Sequence, residues 1–305
     1  MRILLLGARG QLGRALSSAL CIQQPHWQML ALGRDECDIA DPFSLISTLD
    51  RHYPDVIING AAYTAVDLAQ SEPELAERTN HAAVATLARE ANARGALLVH
   101  FSTDYVFDGS GSKPWTEMDK PCPLNVYGAS KYAGEQEIKA LCPNHLLLRT
   151  SWLYGGEGRH FARTILRRAR EGGSLQVVDD QWGAPTQVHW LASTVVLALV
   201  QVLKEPNKRG LYHLSCQGET SWHGFASTLV REACRFGHLV QLVDVAPISS
   251  AHWPQAACRP LNSRLDCRLF SSVFRIELPL WQTQMTEWLA SQRAQPDGPD
   301  ELPLP

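Results

Sequence analysis

No two cysteines of this chain stand in a C-x-x-C pair. The eight thiols, at positions 21, 37, 122, 142, 216, 234, 258 and 267, are scattered. That excludes the usual zinc and dithiol spacings. The even count leaves disulfides open, but a cytoplasmic chain of this size more often carries free thiols, and a cytoplasmic location is the expectation here. No sign of charge dominates either: 28 Lys and Arg stand against 31 Asp and Glu, a net charge of −3. A basic surface for nucleic acid or an anionic membrane is therefore not expected. Long apolar runs are missing too. The opening run Arg2-Ile3-Leu4-Leu5-Leu6 falls far short of the roughly 20 residues that span a bilayer. It leads into glycines rather than a cleavage site, so it reads as a buried strand. The eleven histidines are dispersed. His100 and His213 lie in strand-like runs and read as satisfied core or edge residues. What remains is a chain of 305 residues, 45% hydrophobic, with ample core for one or two domains.

The first strand is followed by Gly7-Ala8-Arg9-Gly10-Gln11-Leu12-Gly13. Gln11 to Leu20 then repeats apolar residues on one helical face. Strand, glycine turn and helix form the dinucleotide-binding context. The glycines allow a sharp turn and close approach to a pyrophosphate, and the helix N-terminus offers free N–H groups to the anion. The bland alternative is a tight turn without a ligand.

Far downstream stand Tyr127 and Lys131 in Tyr127-Gly128-Ala129-Ser130-Lys131, at the head of a helix. Residues four apart share a helix face. An ammonium beside a phenol lowers its pKa from about 10 and equips it for acid/base work at a carbonyl or alcohol. Alone, the pair also arises by chance on helix surfaces.

Between these motifs, short apolar runs alternate with helical stretches, the pattern of a parallel sheet with crossover helices. Expected strands are Ile3–Leu6, Gln28–Leu32, Val56–Asn59, Leu97–Ser102 and His145–Thr150. Expected helices are Gln11–Leu20, Pro42–Arg51, Pro73–Arg94 and Tyr127–Leu141. The second half is less regular: helices over Phe161–Glu171, Leu191–Leu203, Trp222–Phe236 and Glu277–Ala294, and strands at Leu175–Val178 and Tyr212–Ser215. The fold expected is α/β, a Rossmann-type doubly wound parallel sheet with a smaller α/β substrate-binding lobe. The NAD(P)-binding domain takes residues 1–150 plus about 188–216. The lobe takes about 151–187 and 217–294, and 295–305 is a Pro- and Asp-rich disordered tail.

Several strand ends carry candidate contacts. After the second strand stand Gly33 and Arg34, where many dinucleotide folds place an acid on the ribose. Arg34 suits a 2′-phosphate and favours NADPH. Asp35 and Glu36 stand close by, NADH stays possible, and a solvated surface arginine is the alternative. The small residues of Asn59-Gly60-Ala61-Ala62-Tyr63-Thr64 let backbone approach a cofactor, or simply pack closely. In Phe101-Ser102-Thr103-Asp104, Thr103 is placed to bond a substrate oxygen beside the tyrosine, with Asp104 as a neighbouring substrate contact. By itself such a sequence would be a turn or cap.

The G-x-x-G-x-x-G spacing and the Tyr-x-x-x-Lys pair resemble the extended short-chain dehydrogenase/reductase superfamily. The resemblance sharpens with Ala61-Ala62-Tyr63-Thr64-Ala65-Val66-Asp67, Ser102-Thr103-Asp104-Tyr105-Val106-Phe107, Arg149-Thr150-Ser151-Trp152-Leu153-Tyr154-Gly155, Asp180-Gln181-x-Gly183-Ala184-Pro185-Thr186 and Arg259-Pro260-x-Asn262-Ser263-x-Leu265. Together these are similar to the dTDP-4-dehydrorhamnose reductase family, over nearly the whole chain. The resemblance implies reduction of the C4 ketone of a dTDP-keto-sugar, the last step of dTDP-L-rhamnose synthesis. It implies Tyr127 as proton donor, Lys131 as its electrostatic partner and ribose contact, and Thr103 as a hydrogen-bond donor to the reacting oxygen. By position, Gly7, Gly10, Gln11, Leu12, Gly13, Arg34, Asp38, Ile39, Ala62, Tyr63, Thr64 and Phe101 line the cofactor. Asp104, Trp152 and Arg259 contact the sugar nucleotide, though Trp152 also fits plain core and Arg259 a surface salt bridge. Some relatives are described as metal-dependent dimers with acidic side chains near the first helix. Here Arg14 and Ala15 stand there, so no metal is expected, and the chain is a monomer or homodimer. A sugar-nucleotide dehydratase would need Asp-Glu after the threonine, whereas Tyr105 follows Asp104. An epimerase of the same superfamily and a non-catalytic NADP-binding regulatory subunit are the competing readings.

Overall fold

The computed structural model describes residues 1–292. Its centre is a six-stranded, all-parallel sheet. The strands are β1 (Arg2–Leu6), β2 (Gln28–Leu32), β3 (Val56–Asn59), β4 (Leu97–Thr103), β5 (His145–Thr150) and, after a short strand β6 (Leu175–Val178) that lies elsewhere, β7 (Gly210–His213). They lie in the order β7-β5-β4-β3-β1-β2. The chain runs outward from β1 to β2, then returns to β3 and proceeds the other way. The order therefore reverses at β1 and β3, where doubly wound sheets place their ligands, beyond the carboxyl ends of the strands.

The strands are continuously apolar because helices cover both faces. Ile3, Leu5, Val56, Ile58, Leu97, Val99, Leu146 and Leu148 point to one face. Helices α1 (Gln11–Gln23) and, later in the chain, α6 (Val188–Lys204) pack there against each other. Leu4, Leu6, Ile57, Leu98 and Leu147 point to the other face. It is covered by α2 (Pro42–His52), α3 (Ala83–Ala93) and α4 (Val126–Leu141). Each such buried Leu or Ile contributes on the order of 2 kcal/mol relative to exposure. Helix starts follow side-chain chemistry: Asp41 caps α2 by accepting from Phe43 N, with Pro42 in the first turn, and Asn125 caps α4 by accepting from Gly128 N.

A second hydrophobic cluster lies apart from the sheet. Tyr154, Ile165, Leu175 and Val177 come to it from one stretch of chain, Phe225 and Leu229 from a second, and Trp281, Met285 and Trp288 from a third. Its elements are α5 (Phe161–Glu171), β6, α7 (Trp222–Arg235), β8 (Val245–Ile248) and α9 (Trp281–Ser291), with β6 and β8 pairing in parallel. Between the first and second stretches the chain goes back to the first core to build α6 and β7, and between the second and third it returns there with Leu265, Phe270 and Phe274.

Some expectations are corrected. Pro73–Arg94 is not one α-helix: Pro73–Glu77 and α3 flank a π-helical turn, Arg78–Ala82. The strand expected at Tyr212–Ser215 is Gly210–His213, paired with β5. The last helix starts at Trp281 rather than Glu277, because Pro279 precedes it. Strand β8 and the helix α8 (Arg268–Phe274, which lies between β8 and α9) were not expected; both are too short to show a period. The tail expected at 295–305 lies outside the described residues.

Candidate active site

The glycine turn is shaped by contacts that leave no room for a side chain. Gly7 has φ +73°, and a Cβ there would stand 2.6 Å from Ala61 N. A Cβ on Gly13 would meet the Gly7 carbonyl at 2.1 Å. The first glycine thus lets β1 turn against the loop after β3, and the third lets α1 sit down on the turn. Gly10, the N-cap of α1, supplies no side-chain cap, and the first turn has no acid. The leading N–H groups of α1 are left for an anion, and the helix dipole favours one. These features fit a dinucleotide pyrophosphate. Gln11 turns its amide to the Gly155 carbonyl at 2.7 Å, and Leu12 is buried in the core. The structure thus gives these two side chains structural partners.

The loop after β3 is pinned to α4 by Asn80. Its Oδ1 accepts from Tyr63 N at 2.9 Å, while its Nδ2 donates to Tyr63 O at 2.9 Å and Ser130 Oγ at 3.0 Å. Asn80 is buried and sits in the π-helical turn. Such turns re-aim a side chain at the cost of helix regularity. Ala62 and Tyr63 are half-buried and Thr64 exposed along this loop. The Tyr63 hydroxyl donates to Glu72, and burial first, then that carboxylate, pushes its pKa up to about 12.

Thr103, Asp104 and Tyr127 meet where β4 ends. The Thr103 hydroxyl donates to Asp104 Oδ1 at 3.0 Å and also hydrogen-bonds the Tyr127 hydroxyl. A Cβ on Gly128 would stand 2.1 Å from the Tyr105 carbonyl. Only a glycine lets α4 approach that closely and bring Tyr127 beside β4. The Tyr105 and Tyr127 rings meet edge to face at 5.9 Å. Burial pushes the Asp104 carboxyl up to about 6, against the hydroxyls of Ser263 and Thr103. Buried and without a partner are Asp104 Oδ2, Ser102 Oγ and, on the neighbouring strand end, Thr150 Oγ1. Orphaned polar atoms are rare in folded cores. These three lie together at the carboxyl ends of adjacent strands, where substrate groups would suit them.

The Tyr127 phenol departs from expectation. Its pKa is pushed up, to about 12: burial dominates, the Asp104 carboxylate adds to it, and the Thr103 hydroxyl opposes. Lys131 does not offset this. Its Nζ donates to the Phe101 carbonyl at 2.6 Å and lies 3.3 Å from His100 Nε2. The shared helix face brings Lys131 to the site but not onto the phenol. A high pKa keeps the phenol protonated, as a proton donor requires.

The outer candidates spread over a wider arc. Arg34 is exposed and pairs with Asp38 at 3.4 Å, while Asp38 also accepts from Ala40 N. Ile39 is buried under β2, and Phe101 is buried on β4. Arg9 lies over Gly33 and bonds Asp35 and Glu36, so those acids are already engaged. Trp152 has a strained φ of +48°, stacks on Trp222 at 3.6 Å and closes on Gly183. It is 9% exposed, and the stack holds it. Arg259 grips Asp67 and reaches the Tyr105 hydroxyl. The bland readings of Trp152 and Arg259 thus each describe part of what the structure shows.

Sequence reasoning gave no role to Asn80 or Asn125 and read His100 as a core or edge residue only. Asn125 caps α4 and donates its amide to the Cys258 carbonyl at 2.8 Å, tying the helix that carries Tyr127 to the Arg259 segment. An Asn directly before Val126-Tyr127 was a readable N-cap signal. Nothing in the sequence marked Asn80. All eight cysteines are free thiols. Among the described residues, no three His, Cys, Asp or Glu side chains group as a metal site would require.

A family model described as the RmlD substrate binding domain matches residues 1–294. The chain belongs to that family. Its relatives include the dTDP-4-dehydrorhamnose reductase of Salmonella typhimurium, 43% identical over 92% of this chain and 95% of that protein. The enzyme of the same name from Escherichia coli K12 is 42% identical over 95% of this chain and 97% of its own length. Among solved structures, the dTDP-4-dehydrorhamnose reductase of Clostridium acetobutylicum superposes with a TM-score of 0.87 at 34% identity, covering 95% of this chain and 98% of that one. The Bacillus anthracis enzyme of that name, solved in complex with NADP, gives 0.87 at 33%, covering 95% and 99%. A UDP-glucose 4-epimerase from Brucella ovis superposes with a TM-score of 0.74 at 18% identity, a likeness of fold alone. RmlD-family membership therefore rests on the full length of the chain, including the part that forms the second core.

Proposed function

We propose that this chain reduces the C4 ketone of dTDP-4-dehydro-L-rhamnose to dTDP-L-rhamnose with NADPH, in the cytoplasm. The observation that carries the reading is the convergence of Thr103, Asp104 and Tyr127 at the end of β4. It lies in a reductase-family chain with a dinucleotide cradle at the β1–β3 crossover. When bound, NADPH supplies the hydride. The residues of the chain do the rest. The leading N–H groups of α1 and the bare Gly7 and Gly13 hold the pyrophosphate. Arg34 would hold the 2′-phosphate on leaving Asp38, and Asp38 and Ile39 would hold the adenine. Tyr127 Oη gives its proton to the oxygen that was the ketone. Thr103 Oγ holds that oxygen, an electrostatic contribution to the transition state. Lys131 Nζ steadies the phenolate left behind. Asp104 and Trp152 contact the sugar, and Arg259 turns from Asp67 to the diphosphate.

We assign residues 1–150 and about 188–216 to cofactor binding, and about 151–187 and 217–294 to the substrate lobe. The separate hydrophobic cluster supports that division except over 265–278, whose Leu265, Phe270 and Phe274 pack in the first core. The test is consumption of reduced nicotinamide with enzymatically prepared dTDP-4-dehydro-L-rhamnose. Substrate-dependent oxidation with a dTDP-L-rhamnose product supports the reading. Tight NADPH binding without turnover overturns it and favours a regulatory subunit.

A further inference from the structure

His100 is buried on β4 with both ring nitrogens engaged. Nδ1 lies 3.1 Å from Asn59 Nδ2. The Asn59 side chain can be oriented without ambiguity, because its Oδ1 accepts from Ala61 N at 3.1 Å and a backbone N–H only donates. Asn59 Nδ2 therefore donates to His100 Nδ1, and the ring proton sits on Nε2. That N–H points at Lys131 Nζ, 3.3 Å away. An ammonium has no lone pair with which to accept it. An amine does, and it still donates to Phe101 O at 2.6 Å.

The alternative arrangement has one proton more, taken from solvent onto Lys131. The ammonium then donates to Nε2, and the ring proton moves to Nδ1. Nδ1–H needs an acceptor, and Asn59 offers one only by turning its amide over and abandoning Ala61 N. That N–H belongs to the loop against which Gly7 packs. The two arrangements are thus discrete, and Asn59 favours the first.

We propose that His100 is a positioning residue of this site: the ring nitrogen that carries its proton sets whether Lys131 stands as an amine or an ammonium, and Asn59 biases that choice. The inference rests on the reading that Lys131 serves Tyr127. It explains how Lys131 is kept ready to change charge within one catalytic cycle. As an ammonium it steadies the tyrosine phenolate.

The surroundings leave few other groups to set that charge. From α4, Tyr127 stands one turn before Lys131 and Glu135 one turn after. Glu135 is held by Arg149 of β5 through bonds of 2.8 and 2.6 Å, with Lys139 3.9 Å away. The β5 residue in register with His100 is Leu147, and β3 contributes Asn59. Burial brings the Lys131 pKa down to about 8 against the pull of Glu135, and burial together with Lys131 keeps His100 neutral.

Ring-15N NMR of the histidine-labelled full chain, free of ligands, reads the tautomer directly. His100 is expected to carry its proton on Nε2 at alkaline pH and to shift to Nδ1 as Lys131 protonates, with one midpoint for both. A single tautomer across the titration overturns the proposal. His100→Gln places an amide oxygen before Lys131. It should raise the Lys131 midpoint, followed by lysine Cε shifts and assigned with Lys131→Met, by about one pH unit, or tenfold in proton affinity. Asn59→Ser should move it the same way. An unmoved midpoint in either folded variant overturns the proposal. Because these readouts use neither substrate nor turnover, a failure to reduce the keto-sugar would count against the reductase reading alone.

Discussion

Arg259 holds Asp67 through two parallel hydrogen bonds, at 2.9 and 2.6 Å, across 192 positions of sequence. The pair staples the segment after β8 to the loop that follows β3. Arg259 stays charged, and the guanidinium beside Asp67 keeps that carboxyl below its usual range. Because Asp67 is nearly half-exposed, a double-mutant cycle with Arg259→Ala and Asp67→Ala should give a coupling of only about 1 kcal/mol in stability. Arg259→Ala should raise KM for the sugar nucleotide more than Asp67→Ala does. Equal effects on KM would leave Arg259 a structural staple only.

Tyr127→Phe removes the proposed proton donor and keeps the ring against Tyr105. Turnover should fall by about 10²- to 10⁴-fold while NADPH affinity, followed by fluorescence titration, stays within a factor of about two. Near-normal turnover would remove Tyr127 from the mechanism.

Asp104 makes stability depend on pH. Its carboxyl titrates near 6 in the fold, above the ordinary 3.8. Below the ordinary value it is neutral in folded and unfolded chains alike. As pH rises from about 3.8 to about 6, the folded state holds a proton the unfolded chain has lost, and stability declines until the folded carboxyl has ionised as well. The shift corresponds to about 2–3 kcal/mol once both states have ionised. Asp104→Asn should therefore gain thermal stability over the parent between pH 4 and 7, read as a widening difference in Tm. A difference that is constant with pH would show that the carboxylate is not strained by burial.

Gly13→Ala drives a methyl into the Gly7 carbonyl. A backbone obstacle cannot rotate away, so the variant should lose on the order of 2 kcal/mol and bind NADPH at least about tenfold more weakly. Gly95→Ala is the control: its φ is also positive, at +67°, but nothing lies within 4 Å. It should cost about 1 kcal/mol and leave NADPH binding unchanged. The cradle assignment fails if both variants bind NADPH alike.

Arg34→Ala should weaken NADPH more than NADH. The side chain is 69% exposed and its carboxylate partner Asp38 sits at 3.4 Å, so little holds it from a 2′-phosphate. Equal losses for the two cofactors, by isothermal titration, would assign it to Asp38 alone.

The sheet was legible because each of its first five strands is a short apolar run bounded by a turn, and α1, α2 and α4 begin with recognisable signals. The candidate acid/base groups could be named from the sequence because Tyr127 and Lys131 lie on one helix and Thr103 ends a strand. The partners of those groups could not. His100 looked like one more residue in a buried strand, since only the register of β3 beside β4 brings Asn59 to it. Likewise Asn80 looked like helix interior; a π-helical turn gives no hydrophobic period to read. Trp152 and Trp222 are 70 positions apart, and nothing local announces that they stack.

The second core is filled in three visits, and the last of them brings the final described helix. During synthesis, Tyr154, Ile165 and Leu175 emerge long before Trp281, Met285 and Trp288. The nascent lobe therefore waits, its apolar face uncovered, while α6 and β7 complete the sheet behind it. The last described helix acts as a closing plug. A chain stopped short of Trp281 would present Phe225 and Leu229 to solvent, and would be a substrate for chaperones and proteases rather than a smaller working reductase.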